Sequence, residues 1–374
     1  MTAAPPTRDI QTVALADDTW AIRSRSFGRL KFEVEYARQR GTTSNAFLIQ
    51  GERLALLWPP GEVFTDGFLA EVERLTPFER LDDIVLGHIN PNRFRTLVRL
   101  LELAPRARVV CSNPGALALR ALFEAEGKAP PEIAIVRGQE VLDLGNRHRL
   151  QCIPVPTPRW PDGLALFDER TKILYSDKFL GVHVCGEAVY DDGGSDDLDD
   201  ERHYYESLMA SQARQVETAL DRLSEWRPRL IAPVHGPMLR QGGLDRLARH
   251  RQWNRAQLTA TLTVALFYAS AYGSTASLAA AIARGITKAG VACETVNCEF
   301  ATPDEIREVL SRAAGFIIGS PTIGGHAPTP IQTALGIILA SANTSQPAAV
   351  FGSFGWSGEA IDLLVEKLTS AGYQ

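Results

Sequence analysis

The last third of the sequence alternates regularly between short apolar runs and amphipathic segments, and this alternation limits the possible folds more than any other feature. The apolar runs lie at 261–269, 291–298, 315–320 and 347–354, and the helix-like segments at 274–289, 303–313, 328–341 and 358–371. Strands that alternate with helices of this length pair in parallel, because each helix crosses back over the sheet. The pattern therefore predicts an α/β domain with a doubly wound parallel sheet.

The residues before this region show a second, less regular α/β pattern. Strand-like runs such as "TWAIRS", "NAFLIQ", "DDIVLG" and "RLIAPV" alternate with helix-like stretches at 94–103, 115–126 and 203–226. A chain of 374 residues is long enough for two domains with separate cores. We therefore predict one domain at 1–257 and a second at 258–374.

Charge and composition argue against several classes of function. The net charge of -5 and the absence of a basic cluster give no field that would attract nucleic acid. The N-terminal residues lack the pattern of a signal peptide, and no apolar run approaches the roughly 20 residues that span a bilayer. We expect a cytoplasmic protein without membrane insertion. The five cysteines include no CxxC pair, which argues against a disulfide framework or a cysteine metal site.

The segment "FYASAYGSTASLAAAIARGI" has the features of a phosphate-binding turn. An apolar run ends in small residues and passes into a helix, whose predicted apolar stripe is Leu278, Ile282 and Ile286. The first N–H groups of a helix carry partial positive charge, and Gly273 lets the backbone approach a ligand closely. The turn lacks the GK[ST] ending of nucleotide triphosphatases and the GxGxxG of dinucleotide folds. A flavin monophosphate fits this turn better.

The next two predicted strands end in the glycine-rich loops "GSPTIGGHAP" and "FGSFGWSGEA", where open parallel sheets bind ligands. With these three loops in this order, the sequence resembles the flavodoxin domain of flavodiiron proteins. The resemblance implies bound FMN, with its phosphate in the first loop and its ring near the other two. The residues expected to bind FMN are Ser270, Ala271, Tyr272, Gly273, Ser274 and Thr275, then Pro321, Thr322, Ile323, Gly324 and Gly325, then Ser353, Phe354, Gly355, Trp356, Ser357 and Gly358.

Two features depart from the flavodoxin pattern. Glu359 stands where the family usually has a small residue, and its carboxylate could weaken flavin binding. The pattern also supplies only four strands, whereas a flavodoxin sheet has five. The fourth strand would then be an unpaired edge, which proteins usually cover. We therefore expect the natural chain to continue beyond Gln374, with room for further domains.

The first domain resembles the metallo-β-lactamase-like αββα domain of the same family. There, two irons bind an HxExDH loop and three later ligands in "PTPHWPD", "LFSxDAFG" and "xPxHGP" frames. This sequence keeps the frames as "HINPNR", "PTPRWPD", "LYSDKFLG" and "APVHGP" but changes the ligands. The seven ligand positions are occupied by His88, Asn90, Asn92, Arg93, Arg159, Lys178 and His235. Only the two histidines match the family's ligands.

These changes reverse the charge of the expected metal pocket. Three carboxylates are absent, and the cations Arg93, Arg159 and Lys178 stand at ligand positions. One fixed positive charge about 4 Å from a divalent ion costs about 8 kcal/mol at an effective dielectric constant of about 20. Protonated arginine and lysine also have no lone pair to offer a metal. We therefore expect the di-iron centre to be absent.

Two alternatives to an empty, uncompensated pocket follow from the residues. Asp177 could replace the bridging aspartate if the register slipped by one residue, but neighbouring residues of an extended segment point to opposite faces. The pocket could instead hold an anion, or its cations could pair internally with acids such as Asp162, Asp168 or Asp177.

Structural or surface roles are expected for the remaining histidines, of which His183 could line the pocket: His148, His183, His203, His250 and His326.

The resemblance is to the multidomain flavodiiron proteins of oxygenic phototrophs, which reduce oxygen to water with electrons from NAD(P)H. It implies that this chain belongs to such an assembly, as a homodimer or as a heterodimer with a paralogue that has all the iron ligands. Electrons would come from NAD(P)H or another donor through a C-terminal flavin-reductase domain outside this sequence. The alternative is a non-catalytic scaffold, a regulatory subunit or a flavin electron-transfer module.

Overall fold

The computed structural model describes residues 7–28, 40–192, 197–341, 343–355 and 357–373. Internal contacts divide the chain into two compact units. The first comprises Met1–Tyr204 and Glu217–His250, and the second comprises Tyr205–Val216 and Arg251–Gln374. The predicted domain boundary at 257/258 stays a prediction.

The first unit is built on a seven-stranded sheet whose spatial order follows the sequence. Its first four strands pair antiparallel and its last four pair parallel. The strands are β1 (Arg8–Ala16), β2 (Thr19–Ser26), β3 (Thr42–Gln50), β4 (Leu54–Leu57), β5 (Leu81–Val85), β6 (Arg108–Ser112) and β7 (Ile133–Val136). One face of this sheet buries apolar side chains of α1 (Thr65–Leu75), α2 (Phe94–Leu103) and α3 (Asn113–Ala125).

The other face of that sheet shares a core with a second sheet of five strands. These are β8 (Val141–Gly145), β9 (His148–Pro154), β10 (Leu164–Asp168), β11 (Ile173–Asp177) and β12 (Leu230–Pro233), in the spatial order β12-β11-β10-β9-β8. Phe47 packs edge-on against Trp58 and Tyr175, at ring-centroid distances of 5.6 and 4.9 Å. Such aromatic pairs contribute about 0.5–1.5 kcal/mol each beyond their buried area. Two sheets packed face to face, with helices outside, match the predicted αββα layers.

One predicted helix is wrong in extent. In place of a single helix over 203–226, the structure has α4 (Leu198–Leu208) and α5 (Ala213–Ser224), separated by a short turn. The carbonyl groups around the break bond to distant side chains of the second unit. Thr295 Oγ1 donates to Ser211 C=O at 3.1 Å, and Asn254 Nδ2 donates to Ala213 C=O at 2.8 Å. These partners compensate for the lost helical bonds. The next helix is α6 (Gly243–Leu258).

The second unit contains the predicted parallel sheet. Its elements are β13 (Thr263–Tyr268), α7 (Ser274–Lys288), β14 (Ala292–Asn297), α8 (Pro303–Arg312), β15 (Gly315–Pro321), α9 (Thr329–Ser341), β16 (Ala348–Ser353) and α10 (Glu359–Ser370). The strands are all parallel, in the order β14-β13-β15-β16. This confirms the doubly wound α/β class, and β16 is a half-exposed edge strand in the described sheet.

The stripe predicted for α7 is wrong by one position. The buried residues of this helix are Thr275, Ala279, Ala283 and Thr287, whereas Leu278 is 42% exposed. Small side chains let the helix lie close to the sheet, and the larger Ile282 and Ile286 pack beside that contact. Among the described helices, none combines the length and the apolar character needed to cross a membrane.

Candidate functional site

The loop that follows β5 carries the first four positions of the predicted ligand set. Asn90 caps the short helical turn at Pro91–Arg93, because its Oδ1 accepts the backbone N–H of Asn92 at 3.0 Å. Asparagine is a favoured helix cap, and proline suits the first position of a helix. The side chain of Asn92 is exposed. In this structure, Asn90 therefore has a local structural role.

His88 lies at the base of this loop and is buried beside Asp177. Its Nδ1 is 3.0 Å from Asp177 Oδ2 and 3.1 Å from Oδ1. Burial lowers the pKa of His88 to about 4, so the ring is neutral at pH 7 and Nδ1–H donates to the carboxylate. Burial opposes ionisation of Asp177, but the interaction with His88, including its hydrogen bond, and the charges of Lys178 and Arg93 outweigh it and lower the pKa of Asp177. Asp177 is therefore an ionised, hydrogen-bonded partner of His88.

The assumption that Asp177 and Lys178 follow extended-strand alternation is wrong. Asp177 has a φ of +48°, in the left-handed region that residues other than glycine seldom adopt. This turn at the end of β11 directs the Asp177 carboxylate to His88, while the next residue reaches His235. Both residues thus contact histidines that occupy ligand positions. The left-handed backbone of an aspartate cannot be recognised from the sequence, so the expectation of alternating faces was wrong at this position.

Lys178 occupies the bridging-aspartate position and bonds directly to a histidine that the family uses as a ligand. Its Nζ lies 2.8 Å from His235 Nε2. The other ring nitrogen of His235, Nδ1, is 2.6 Å from Thr43 C=O and must donate to it. His235 Nε2 is therefore the acceptor for the Lys178 ammonium group. This bond occupies the lone pair that a metal would need.

His183 lines the same pocket, as the sequence allowed. Its ring lies 4.4 Å from that of His235, and its Nδ1 is 2.7 Å from Thr42 Oγ1. Burial, reinforced by the charge of Lys178, lowers the pKa of His183 to about 3 and that of His235 well below its usual value. The pocket therefore contains three neutral imidazoles beside one ammonium group.

The two arginines at ligand positions lie around this group. Arg93 is half-buried, and its charge lowers the pKa values of His88, Asp177 and His235. The guanidinium carbon of Arg159 lies 5.6 Å from the centroid of the Trp160 ring, and Lys178 Nζ lies 6.0 Å from the same ring. Cations within about 6 Å of an indole face are attracted by its quadrupole. All three cations thus lie near the sequence motifs that carry the predicted ligand positions.

The donor set of this pocket does not match that of a di-iron centre. His235 Nε2 is bonded to an ammonium group, Asn90 Oδ1 is bonded to a backbone N–H, and three positions hold cations. Across the described ranges, no group of three or more His, Cys, Asp or Glu side chains is arranged to hold a metal ion. Iron requires free lone pairs from nitrogen, oxygen or sulfur ligands. These side chains do not provide enough of them.

The sequence offered Asp162 and Asp168 as acids that could pair with the pocket cations, and the structure shows contacts of both with other groups. Asp162 Oδ2 accepts Ile89 N–H at 2.6 Å and fixes the His88 loop, and burial raises the Asp162 pKa to about 6. Asp168 bonds to His148 Nδ1 at 2.8 Å and to Thr171 Oγ1 at 2.6 Å. The contacts with Ile89 and His148 could not be found from sequence spacing, because they join residues on different strands or loops, whereas Thr171 is only three residues from Asp168.

The predicted phosphate loop joins β13 to α7 in the second unit. Gly273 precedes the helix with a φ of +83°, and no atom outside its immediate neighbours lies within 4 Å of the place a Cβ would occupy. Ser270 Oγ accepts Ala276 N–H at 3.1 Å, and Thr275 Oγ1 lies 2.8 Å from Ser353 Oγ. The loop thus combines open space, hydroxyl groups and a helix N-terminus, which fits a phosphate.

The other two predicted flavin loops lie at the same edge of the sheet, because β13, β15 and β16 run parallel. Thr322 N–H donates to Ser353 C=O at 2.9 Å and joins the two loops. Ile323 and His326 pair through both backbone groups, and Gly324 and Gly325 between them have φ values of +60° and +79°. Two successive left-handed residues define a type I′ turn, which glycine adopts without strain.

Several apolar side chains are exposed around these loops. Tyr272 is 96% exposed, Phe354 is 62% exposed and Ile323 is 50% exposed. Surfaces of this kind are suited to cover the face of an aromatic ring. Trp356, expected to pack against the ring, lies outside the described residues. Glu359 is exposed, and its pKa is lowered by hydrogen bonds from its own N–H and from Ser357, with a smaller effect of His326.

Comparison with known proteins gives concordant results for both units. Residues 42–236 match the ODP family beta lactamase, and residues 266–374 match the Flavodoxin family. "Putative diflavin flavoprotein A 6" of Nostoc sp. (strain PCC 7120) is 54% identical over 367 residues, covering 98% of this chain and 64% of that protein. A second relative is covered over 61% of its length, so this chain spans less than two thirds of these curated relatives.

Solved structures also resemble this chain over nearly its whole length. The metal-soaked Flv1 flavodiiron core of Synechocystis sp. PCC6803 superposes with a TM-score of 0.94 at 49% identity, covering 99% of this chain and 91% of that one. Rubredoxin oxygen:oxidoreductase of Desulfovibrio gigas shares the fold at 23% identity, with a TM-score of 0.60 and coverage of 97% and 91%.

Proposed function

The chain belongs to the flavodiiron protein family of oxidoreductases, and from this premise we propose that it is the electron-transferring core of a subunit that has lost its own di-iron site. The proposal rests above all on one contact. Lys178 Nζ lies 2.8 Å from His235 Nε2, so an ammonium group occupies the side of the histidine that would bind iron. The ammonium group cannot itself act as a ligand.

Charge supports the same conclusion. A divalent ion near Lys178, Arg93 and Arg159 would meet three fixed positive charges, and Asp177 is a carboxylate that is bonded to His88. Each such charge about 4 Å away costs about 8 kcal/mol at an effective dielectric constant of about 20. Metal binding is therefore unfavourable at this position.

The flavodoxin domain supports FMN binding, and we propose that this chain keeps that cofactor. The helix N-terminus at Ser274, the hydroxyl of Thr275 and the open space beside Gly273 would hold its phosphate. The turn at Gly324 and Gly325, with the loop after β16, would border its ring. When bound, FMN supplies one- and two-electron transfer. This chain would then contribute by holding FMN in position for electron transfer.

In the assembly we propose, this chain pairs head to tail with a second copy or with a paralogue that has all the iron ligands. Electrons from NAD(P)H or another donor, delivered by a flavin-reductase domain, would reach the FMN of this chain and then the partner's irons. The partner would reduce oxygen to water, which would make the assembly a photoprotective electron sink. A scaffold or regulatory subunit is the second candidate, and it would need no bound FMN.

The content of bound metal tests the first part of the proposal. Purified chain should contain far less than one iron or zinc per molecule by elemental analysis. The fivefold variant Asn90→Glu, Asn92→Asp, Arg93→His, Arg159→His and Lys178→Asp should regain two metals, because it restores the family's donors. Lys178→Asp alone is the matched control and should not regain metal. Two tightly bound metals in the unmodified chain would overturn the proposal.

A further inference from the structure

The three loops expected to bind FMN are bonded to one another at the ends of their strands. Ser353 Oγ lies 2.8 Å from Thr275 Oγ1 in the phosphate loop, and Ser353 C=O accepts Thr322 N–H at 2.9 Å. Both contacts lie within the second unit. The loop that begins at Ser353 ends at Gly358, and α10 begins directly after it at Glu359. The first turn of α10 therefore lies at the edge of the proposed ring site.

The loop after β16 folds back on itself, which keeps Glu359 close to the other loops. The ring of Phe354 lies 3.2 Å from the place a Cβ of Gly358 would occupy. Glu359 also interacts electrostatically with His326, which follows the glycine turn of the middle loop. That turn is proposed to border the flavin ring. The carboxylate of Glu359 thus lies beside two of the loops that would enclose the ring.

The charge around these loops is negative. The sequences of the three loops contain no lysine or arginine, and the first turns of α7 and α9 contain no charged residue. The first turn of α10 contains Glu359 and Asp362, both exposed. Hydrogen bonds from its own N–H and from Ser357 lower the pKa of Glu359, so this side chain is ionised at pH 7. These segments supply no lysine or arginine to offset its charge.

An ionised carboxylate at this edge affects the two oxidation states of FMN differently. Two-electron reduction takes up one proton, FMN + 2e⁻ + H⁺ → FMNH⁻, so the ring gains one negative charge. Repulsion from a fixed carboxylate disfavours the reduced ring, with a strength set by distance and salt. The FMN phosphate carries the same charge in both states, so its repulsion from the carboxylate does not change the reduction potential. The potential therefore reports the effect on the ring alone.

We propose, on the premise that this chain binds FMN as proposed above, that the carboxylate of Glu359 lowers the reduction potential of this flavin. Protein charges close to a flavin ring tune its electronic properties. A lower potential makes the reduced flavin a stronger electron donor. This property suits a chain whose FMN passes electrons to a partner subunit.

The reduction potential of bound FMN tests this role in a matched pair of variants. Glu359→Gln removes the charge and keeps the length of the side chain. Glu366→Gln makes the same change at an exposed position of the same helix. Position 366 lies about 10 Å further along the helix axis, beyond the Debye length of about 8 Å at physiological salt.

The two variants should differ in how they bind reduced FMN. Glu359→Gln should raise the affinity for reduced relative to oxidised FMN about tenfold, which is a rise of about 30 mV in the potential of a two-electron couple. Glu366→Gln should leave the potential unchanged. Spectroelectrochemical titration measures the potential, and fluorescence titration measures the affinity for oxidised FMN.

Each outcome decides between this role and the retention of FMN. If FMN binds and Glu359→Gln leaves its potential unchanged, the role of Glu359 is overturned while the proposed retention of FMN stands. An equal rise in both variants would also overturn it, because general surface charge would then be the cause. A chain that binds no FMN in the fluorescence titration would overturn both proposals.

Salt provides a second test, made first on the unmodified chain. The Debye length falls from about 10 Å at 0.1 M salt to about 3 Å at 1 M. The potential of FMN in the unmodified chain should therefore rise with salt, because the repulsion is screened. In Glu359→Gln the rise should be smaller. An equal rise in both proteins would overturn the assignment of Glu359.

Discussion

Asp177 and Lys178 are neighbours in the sequence, but each bonds to a different buried histidine. Asp177 accepts from His88 Nδ1, and Lys178 donates to His235 Nε2. Spacing predicted one pocket for His88, Lys178 and His235 from the strand ends that carry them, and the structure brings His88 to Asp177 and Lys178 to His235. It could not show their bonding, because this depends on the left-handed backbone of Asp177.

Replacement of Asp177 tests whether its charge holds the pocket together. Asp177→Asn should lower the free energy of unfolding by about 3–5 kcal/mol, because Lys178 and Arg93 then lack the buried carboxylate that offsets their charge. Asp192→Asn is the matched control, since Asp192 forms an exposed ion pair with Arg240, and its loss should cost less than about 1 kcal/mol. Urea unfolding of both variants measures the difference. Equal losses would refute the role of Asp177.

The buried histidines predict an acid-sensitive fold. The folded-state pKa values of His88, His183 and His250 are lowered to about 4, 3 and 3, mainly by burial. In the unfolded chain they titrate near pH 6.5, so between pH 6.5 and 4 the unfolded state binds more protons. Stability should therefore fall as the pH falls through this range, by up to about 1.4 kcal/mol per pH unit for each histidine.

Thermal unfolding between pH 7 and pH 4 measures this dependence. His183→Gln should make the fall in stability shallower, because it removes one of the groups whose pKa differs between the two states. His326→Gln changes an exposed histidine and should leave the slope as it is. If the two variants show the same slope as the unmodified chain, burial of His183 does not control acid stability.

At the scale of single elements, the second unit was the easier part to predict. Its strand and helix bounds were predicted to within two residues, because helices of regular length separate apolar runs. The buried face of α7 was missed, since alanine and threonine pack against the sheet where leucine and isoleucine were expected. The break between α4 and α5 was missed because Thr295 and Asn254, far away in the sequence, supply the hydrogen bonds.

The start of α7 offers a direct test of FMN binding. Gly273 and Gly290 flank this helix, with φ values of +83° and +79°, and neither has atoms near the place of a Cβ. Alanine at either position should cost about 1–2 kcal/mol of stability, because L-residues are strained in the left-handed region. Gly273→Ala alone should also weaken FMN binding, by about tenfold, because its methyl group enters the phosphate loop.

Fluorescence titration with FMN and urea unfolding separate these two effects. Gly290→Ala is the control, since it carries the same backbone strain at the far end of the helix. FMN affinity that falls equally in both variants would mean that strain alone is responsible. FMN affinity that falls in neither would exclude this loop as the phosphate site.

At the scale of the whole molecule, the two units carry different halves of the proposed activity. The first holds a pocket of imidazoles and cations, and the second holds the glycine-rich loops. The αββα layers and the doubly wound sheet followed from sequence patterns and resemblance. The hydrogen-bond partners of the pocket side chains could not be predicted in this way, because those bonds join residues up to 192 positions apart.

Mixing experiments test the proposed division of work between subunits. The chain alone should show little oxygen reduction once flavin autoxidation is subtracted, whereas co-assembly with a ligand-complete paralogue should give activity that depends on FMN in this chain. Gly273→Ala in this chain should lower the activity of the mixed assembly, and Gly290→Ala should not. If both variants support full activity, this chain acts only as a scaffold.

The separate bonds of His88 and His235 also restrict how the lineage can change. A gain of iron ligands by single substitutions would include the change of Lys178, which removes the bonding partner of His235 Nε2 before enough ligands exist to hold a metal. Such intermediates would be less stable, and selection removes proteins that fall below the stability they need. The ammonium group of Lys178 therefore makes a stepwise gain of the metal ligands unfavourable.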